Sequence, residues 1–299
     1  MNAIYIGIIL VMRVVQSSFS KRASNLLPES VSGKTFYFGV SKLFAAAFAL
    51  VAILIGGDFS LPDLPTVSIA ALSGISLAIS SICSTLAIRT GTIVLNSLFG
   101  TAGLLVPCIA GIFWFDQPMS WPQWVGIAVL FFSAYLLIAS SKEIYSTFSL
   151  KTFLLLLGSL LSNGLTMLFQ MLFSRQVPDG NVSVFSFFTF AIPAVLLFAA
   201  APLFRQKGQP SEKPLTQMLP KELVIYALLL SFAVFVINQL ATLASATVPP
   251  AVLFALINGG ATIISAIVGA AMFRERLTFK SVCGILLGVV SLVVIKAFE

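Results

Sequence analysis

Blocks of apolar residues separated by short polar joints recur along the whole chain. Each block runs to about 17–24 residues, the length an α-helix needs to cross a ~30 Å hydrocarbon core at 1.5 Å per residue. Read in order, the pattern predicts ten spans. The first five are Ala3–Phe19, Thr35–Ile55, Val67–Ile88, Ile93–Phe115 and Trp121–Ala139. After a polar joint come Phe153–Phe173, Val182–Phe204, Leu223–Ala246, Ala251–Phe273 and Val282–Ala297. Most connections are short, which makes neighbouring helices antiparallel. The longest, Arg205–Glu222, is too small for a soluble domain. The expected fold is an all-α polytopic membrane protein with about ten transmembrane helices.

Composition agrees with that pattern. Of 299 residues, 59% are hydrophobic and 9% charged, against roughly 25% charged in an ordinary soluble domain; the mean hydropathy is +1.06. The first block has no basic leading region, carries Arg13 inside it and lacks a small-x-small cleavage pattern, so it reads as a retained span. Cys83, Cys108 and Cys283 all fall inside spans, at spacings that suggest neither a metal site nor a disulfide. No cofactor or metal is expected. The chain has no His, no acidic cluster within a span and no H-E-x-x-H or G-x-S-x-G arrangement, which argues against a membrane-embedded enzyme. The net charge of +7 sits in membrane-flanking loops, where it meets lipid headgroups rather than nucleic acid.

The two halves resemble each other. Setting Gly126 on Gly284, an offset of 158, matches Val94/Val252, Leu95/Leu253, Leu98/Leu256, Ile109/Ile267, Gly111/Gly269, Phe115/Phe273, Ile127/Ile285 and Ser133/Ser291 without gaps. The expected units are residues 1–144 and 145–299. Five crossings are an odd number, so the second copy enters the membrane upside down. Loop charges fit: Asp58 and Asp63 in one copy correspond to Arg205, Lys207, Lys213 and Lys221 in the other, and Asp116 to Arg274, Arg276 and Lys280. Of the 17 Lys and Arg, 13 fall on one face, which by the positive-inside rule sets both termini outside the cytoplasm.

Two local patterns carry a family likeness. One is the hairpin ending each half, Phe115-Asp-Gln-Pro-Met-Ser…Gly126 and Phe273-Arg-Glu-Arg-Leu-Thr…Gly284; the other is Thr35-Phe-Tyr-Phe-Gly-Val-Ser-Lys42-Leu-Phe-Ala-Ala-Ala. With the ten-helix plan, they resemble the drug/metabolite transporter superfamily, specifically its EamA-like ten-helix members. Only the second hairpin keeps the acidic residue in its usual place, as Glu275, and Lys42 stands where an Arg is common. The resemblance implies a plasma-membrane transporter of small molecules working by alternating access. It also implies cytoplasmic termini, against the charge count. It leaves the substrate open.

Polar residues inside spans mark the expected pathway, because lipid-facing polar groups are costly. Arg13 lies about 15 Å along its helix from the membrane surface, near the midplane, and no acidic residue sits in a span to neutralise it. Lys42 is seven residues into the second span. Gln16, Asn96, Asn163, Gln170, Asn238, Gln239 and Asn258 join these two as candidate substrate-binding residues. Ser73, Ser76, Ser80 and Ser84 form a similar stripe, for which interhelical bonding is the favoured reading. The fourth and ninth spans are weakened at matching depths by Gly100, Gly103 and Pro107, and by Pro249, Pro250, Gly259 and Gly260. Interruptions in corresponding helices point to binding sites and hinges. Without an embedded carboxylate for a proton or cation to occupy, the expected cargo is a neutral, zwitterionic or anionic metabolite. The alternatives are a multidrug or organic-cation exporter, which 27 Phe could serve, and, more remotely, a non-transporting receptor or scaffold.

Overall fold

The computed structural model describes residues 2–57, 62–89, 93–139, 149–205, 219–273 and 278–298. They form helices α1 (Asn2–Ser24), α2 (Val31–Gly56), α3 (Leu64–Arg89), α4 (Ile93–Ala102), α5 (Leu105–Trp114) and α6 (Trp121–Ala139). The second half supplies α7 (Leu150–Gln176), α8 (Val182–Ala200), α9 (Lys221–Ser245), α10 (Pro250–Phe254), α11 (Gly260–Phe273) and α12 (Phe279–Ala297). There is no strand among the described residues. Among the described residues eight helical stretches are long and apolar enough to cross a membrane, and two shorter apolar ones, Leu98–Trp114 and Trp121–Leu137, fall where the fourth and fifth spans are expected. The chain is a polytopic all-α membrane protein. The expected boundary at 144/145 lies outside the described residues, as do Asp58, Lys207, Lys213, Arg274, Glu275 and Arg276.

Local chemistry sets the ends. Ser30, Ser149 and Thr278 accept the backbone N–H groups of Gly33, Thr152 and Ser281, and Asn181 accepts those of Ser183 and Val184, satisfying donors that a helix start leaves orphaned. Gly57, at φ +68°, closes α2 in the left-handed conformation that glycine adopts at no steric cost. Several helices outrun their apolar blocks: α1 reaches Ser24 and α7 reaches Gln176. The backbone ladder needs no apolar side chains once the helix leaves the hydrocarbon.

Among the described residues each half contributes six α-helices, and the most extensive packing follows a swap of every helix with the one six later. The extensive pairs α3–α7 and α1–α9 exchange under that swap, as do α3–α8 and α2–α9, while α2–α8 and α6–α12 map onto themselves. The self-paired helices run antiparallel. Ser32 donates to Ala201 O at one end of α2–α8, and Ala45 and Ala46 meet Phe190 further along. Equivalent helices packed antiparallel are what inverted copies produce.

The α6–α12 seam shows the symmetry at atomic scale. A Cβ on Gly126 would meet Ser291 O and the Ile295 side chain, and one on Gly284 would meet Ser133 O and the Leu137 side chain. These are the same contacts with the halves exchanged. Only the hydroxyls differ: Ser133 Oγ donates to Gly284 O at 2.6 Å, whereas Ser291 turns back to Gly288 O at 2.7 Å.

Candidate functional site

Arg13 and Lys42 stand on either side of α9 at nearly the same depth. Helix α1 packs antiparallel on α9, with Phe19 against Tyr226 and Ile9 in the cluster of Ile237 and Ala241. Arg13 therefore lies abreast of the middle of α9. Ser231 Oγ donates to Ser41 O at 2.7 Å, which places Lys42 within about one turn, ~5 Å, of that level. Both cationic groups lie deep in the protein mass, yet both side chains keep accessible surface. A lipid-facing side chain would lack the first property and a core side chain the second, so neither residue points at lipid or is sealed in a core. Among the described residues neither has a carboxylate partner. Arg13 Nη1 donates to Gln16 Oε1 at 2.7 Å while its buried Nε has no partner. The Lys42 ammonium sits 5.8 Å from the centroid of the Phe190 ring, a cation–π contact.

The amides divide into two sets. Gln170, Asn238 and Gln239 are committed to neighbouring helices. Gln170 Nε2 donates to Asn238 O at 2.9 Å and to Thr242 Oγ1 at 2.8 Å. Ser186 Oγ lies 3.0 Å from both Asn238 Oδ1 and Gln239 Oε1, and Gln239 Nε2 donates to Ser183 at 2.7 Å. Those bonds join α7, α8 and α9. Two residues of the α3 serine stripe behave in the same way, Ser84 bonding Ser159 at 2.8 Å and Ser80 donating to its carbonyl at 3.4 Å, while Ser73 Oγ is buried without a partner. The other set lies in or against the interrupted spans, Asn96 in the fourth, Asn258 in the ninth and Asn163 on α7 facing the fourth; Asn96 Oδ1 is buried without a partner.

Both expected interruptions are present, in different forms. In the fourth span the helix stops at Ala102 and restarts at Leu105. Pro107 has no N–H for Gly103 O, four residues earlier. That carbonyl instead accepts from Val106 at 3.1 Å, and Asn163 Nδ2 caps the neighbouring Gly100 O at 2.9 Å. In the ninth span residues Ala255–Gly259 form a π-helical turn, an insertion common at functional sites. Gly259 packs against Leu130, and Asn258 Nδ2 points to Met167 Sδ at 3.4 Å. Pro249 and Pro250 begin α10 as N-cap and first residue, and Gly260 opens the regular α11. None of these three interrupts a helix. Pro250 also packs on Gly111, beside a cavity of about 230 Å³ lined by Cys108, Gln117, Gln123 and Phe298.

Arg175 did not stand out from the pattern of polar positions, yet it ties three elements together. Its Nε donates to Ser245 O at 3.0 Å, its Nη2 to Val248 O at 3.3 Å, and its guanidinium lies 5.1 Å from the centroid of Phe115. A cation at the carbonyl end of α9 opposes that helix's dipole. The signal that could have found it is a repeated motif: Gln170-x-x-Phe173-Ser174-Arg175 echoes Gln16-x-x-Phe19-Ser20-Lys21.

Residues 150–297 match the model of the EamA-like transporter family. A solved crystal structure of a protein superimposes over 99% of this chain and 99% of its own, with TM-score 0.76 at 12% identity. At that identity the likeness speaks for the fold alone, and it takes in both halves. None of the curated proteins matches. The second half of the chain, residues 150–297, belongs to the EamA-like transporter family, and the protein is a multi-pass membrane protein of transporter type.

Proposed function

We propose that the protein carries a small neutral, zwitterionic or anionic metabolite across the plasma membrane by alternating access, through facilitated diffusion or exchange. One observation carries this reading. Arg13 and Lys42 lie at one depth within the helix bundle, with no carboxylate partner among the described residues. Burying a cation at the midplane costs at least about 2.5–3.5 kcal/mol on insertion scales, and an anionic group on the cargo would offset that cost. Inverted halves, residues 1–144 and 145–299, provide the two states by exchanging conformations. Arg13, Lys42 and Asn96 make the recognition surface, with Gln16 beside Arg13. The charge bias of the loops sets both termini outside the cytoplasm, which labelling of a terminal cysteine in intact cells checks.

The test is uptake by purified protein in proteoliposomes, with solutes first chosen by thermal shift among amino acids, nucleosides and phosphorylated metabolites. Arg13→Gln should lower uptake of a carboxylate or phosphate solute at least tenfold, as losing a charge-assisted hydrogen bond implies. Unchanged kinetics would remove Arg13 from the site. Stabilisation and flux of organic cations alone would replace this reading with that of a cation exporter.

A further inference from the structure

The repeated motif sits in the same place in each half, at the end of the helix that opens it: Gln16-x-x-Phe19-Ser20-Lys21 in α1 and Gln170-x-x-Phe173-Ser174-Arg175 in α7. The third helix of each half also ends alike, with Thr85-Leu86-Ala87 in α3 and Thr242-Leu243-Ala244 in α9. The two threonines are locally equivalent, Thr85 Oγ1 donating to Ser81 O at 2.7 Å and Thr242 Oγ1 to Asn238 O at 2.8 Å.

The second motif is docked on its threonine helix. Gln170 donates to Asn238 O and Thr242 Oγ1, Ser174 Oγ donates to Thr242 O, and Arg175 holds Ser245 O and Val248 O. At that same end Pro250 packs on Gly111, drawing α5 and α10 together. Among the described residues the counterparts, α1 with α3 and α4 with α11, lack interfaces as extensive as those of α7 with α9 and α5 with α10. Ser20 is exposed and Gln16 Oε1 is taken by Arg13. The extensive pairs obey the swap of halves, whereas these two interfaces have no equal at the opposite end of the bundle.

We propose that the two Gln-x-x-Phe-Ser-Lys/Arg segments are the alternating gates of this transporter. The structure is closed at the end bearing the α5–α6 and α9–α10 connections, by α7 docked on α9. In the opposite state α1 docks on α3 through Gln16, Ser20 and Thr85 while α7 leaves α9. Gln16 cannot serve Arg13 and α3 together, so an anion taken up by Arg13 frees Gln16 to close the second gate. That last coupling rests on the proposed role of Arg13; the pair of gates does not.

Disulfide trapping tests it, in proteoliposomes of full-length protein with Cys83, Cys108 and Cys283 replaced by Ala. Under a copper–phenanthroline oxidant, S174C/T242C should bridge rapidly and arrest uptake, with reductant restoring it. S20C/T85C should bridge slowly, and roughly tenfold faster once Gln170→Leu and Arg175→Gln are added, the shift that loss of a hydrogen bond to a charged group produces. Arg175→Lys, which keeps the charge, should leave it slow. A chain carrying all four cysteines should form either bridge but never both, as counted by the thiols left for maleimide labelling. Doubly bridged chains, or a parent in which both pairs bridge at equal rates, would overturn the proposal, and this measurement holds even where the Gln170 variant does not fold. Arg13→Gln should speed the S20C/T85C bridge. If that rate stays constant while uptake is lost, the coupling fails and the gates stand.

Discussion

The fourth and ninth spans hold the same place in the two halves, and both are interrupted, but by different means. The fourth is broken by covalent structure: Pro107 deprives Gly103 of a donor, and Asn163 from α7 caps the carbonyl one turn away. The ninth keeps an unbroken backbone and carries a π turn over Ala255–Gly259, with Asn258 making only a thioether contact. A missing N–H cannot be restored by motion, whereas a π turn interconverts with α geometry by moving one hydrogen-bond register. The fourth span is therefore a fixed bend and the ninth an adjustable one, although the two descend from the same place in the repeat. Inverted halves need equivalent positions, not equivalent mechanics.

Substitutions can break or sharpen that contrast. Gly164→Val should have the largest effect, because even a Cβ there would lie 2.4 Å from Val106 Cγ2 and 2.6 Å from Gly103 O. Overpacking of that severity costs about 3 kcal/mol and should lower the melting temperature of the solubilised protein by several degrees. Gly100→Ala, with nothing within 4 Å, should leave it nearly unchanged, and equal melting of the two would mean that α7 does not hold the bend. Asn163→Leu comes next, at about 1 kcal/mol for the lost cap. The counterpart Asn258→Leu should cost less than roughly 0.5 kcal/mol, since a thioether accepts only weakly. If Asn258→Leu proved the more costly, the ninth span would be the rigid one.

The spans were legible because the hydrocarbon sets their length, and Arg13 and Lys42 because a charge within an apolar block is anomalous wherever it sits. The inverted repeat could be read in the α6 and α12 hairpins, where the register is continuous. It was not followed into α1 and α7, since the loops between differ in length and the Gln-x-x-Phe-Ser match falls at another offset. For the same reason Arg175, which follows the apolar block Phe153–Phe173, does not stand out: its partners are carbonyls at the end of α9 and just after it, some seventy residues later. The polar stripes showed which helix faces are polar. They did not show that Gln170, Asn238 and Gln239 bond other helices while Arg13 bonds Gln16 of its own, because helical periodicity gives a direction and not the neighbour found there. The π turn left no local signature either. It depends on how Leu130 and Met167 pack against Gly259 and Asn258.

The position of α1 has a consequence for how the protein is made. The helix carrying Arg13 rests on α9 and α11, which begin more than 200 residues further along the chain. At the usual 5–20 residues per second, the ribosome reaches them roughly 10–40 s after α1 has emerged. Throughout that interval an Arg-bearing helix waits in the bilayer without its final neighbours. Its settling is thus a late event of synthesis, timed by the second half rather than by its own insertion.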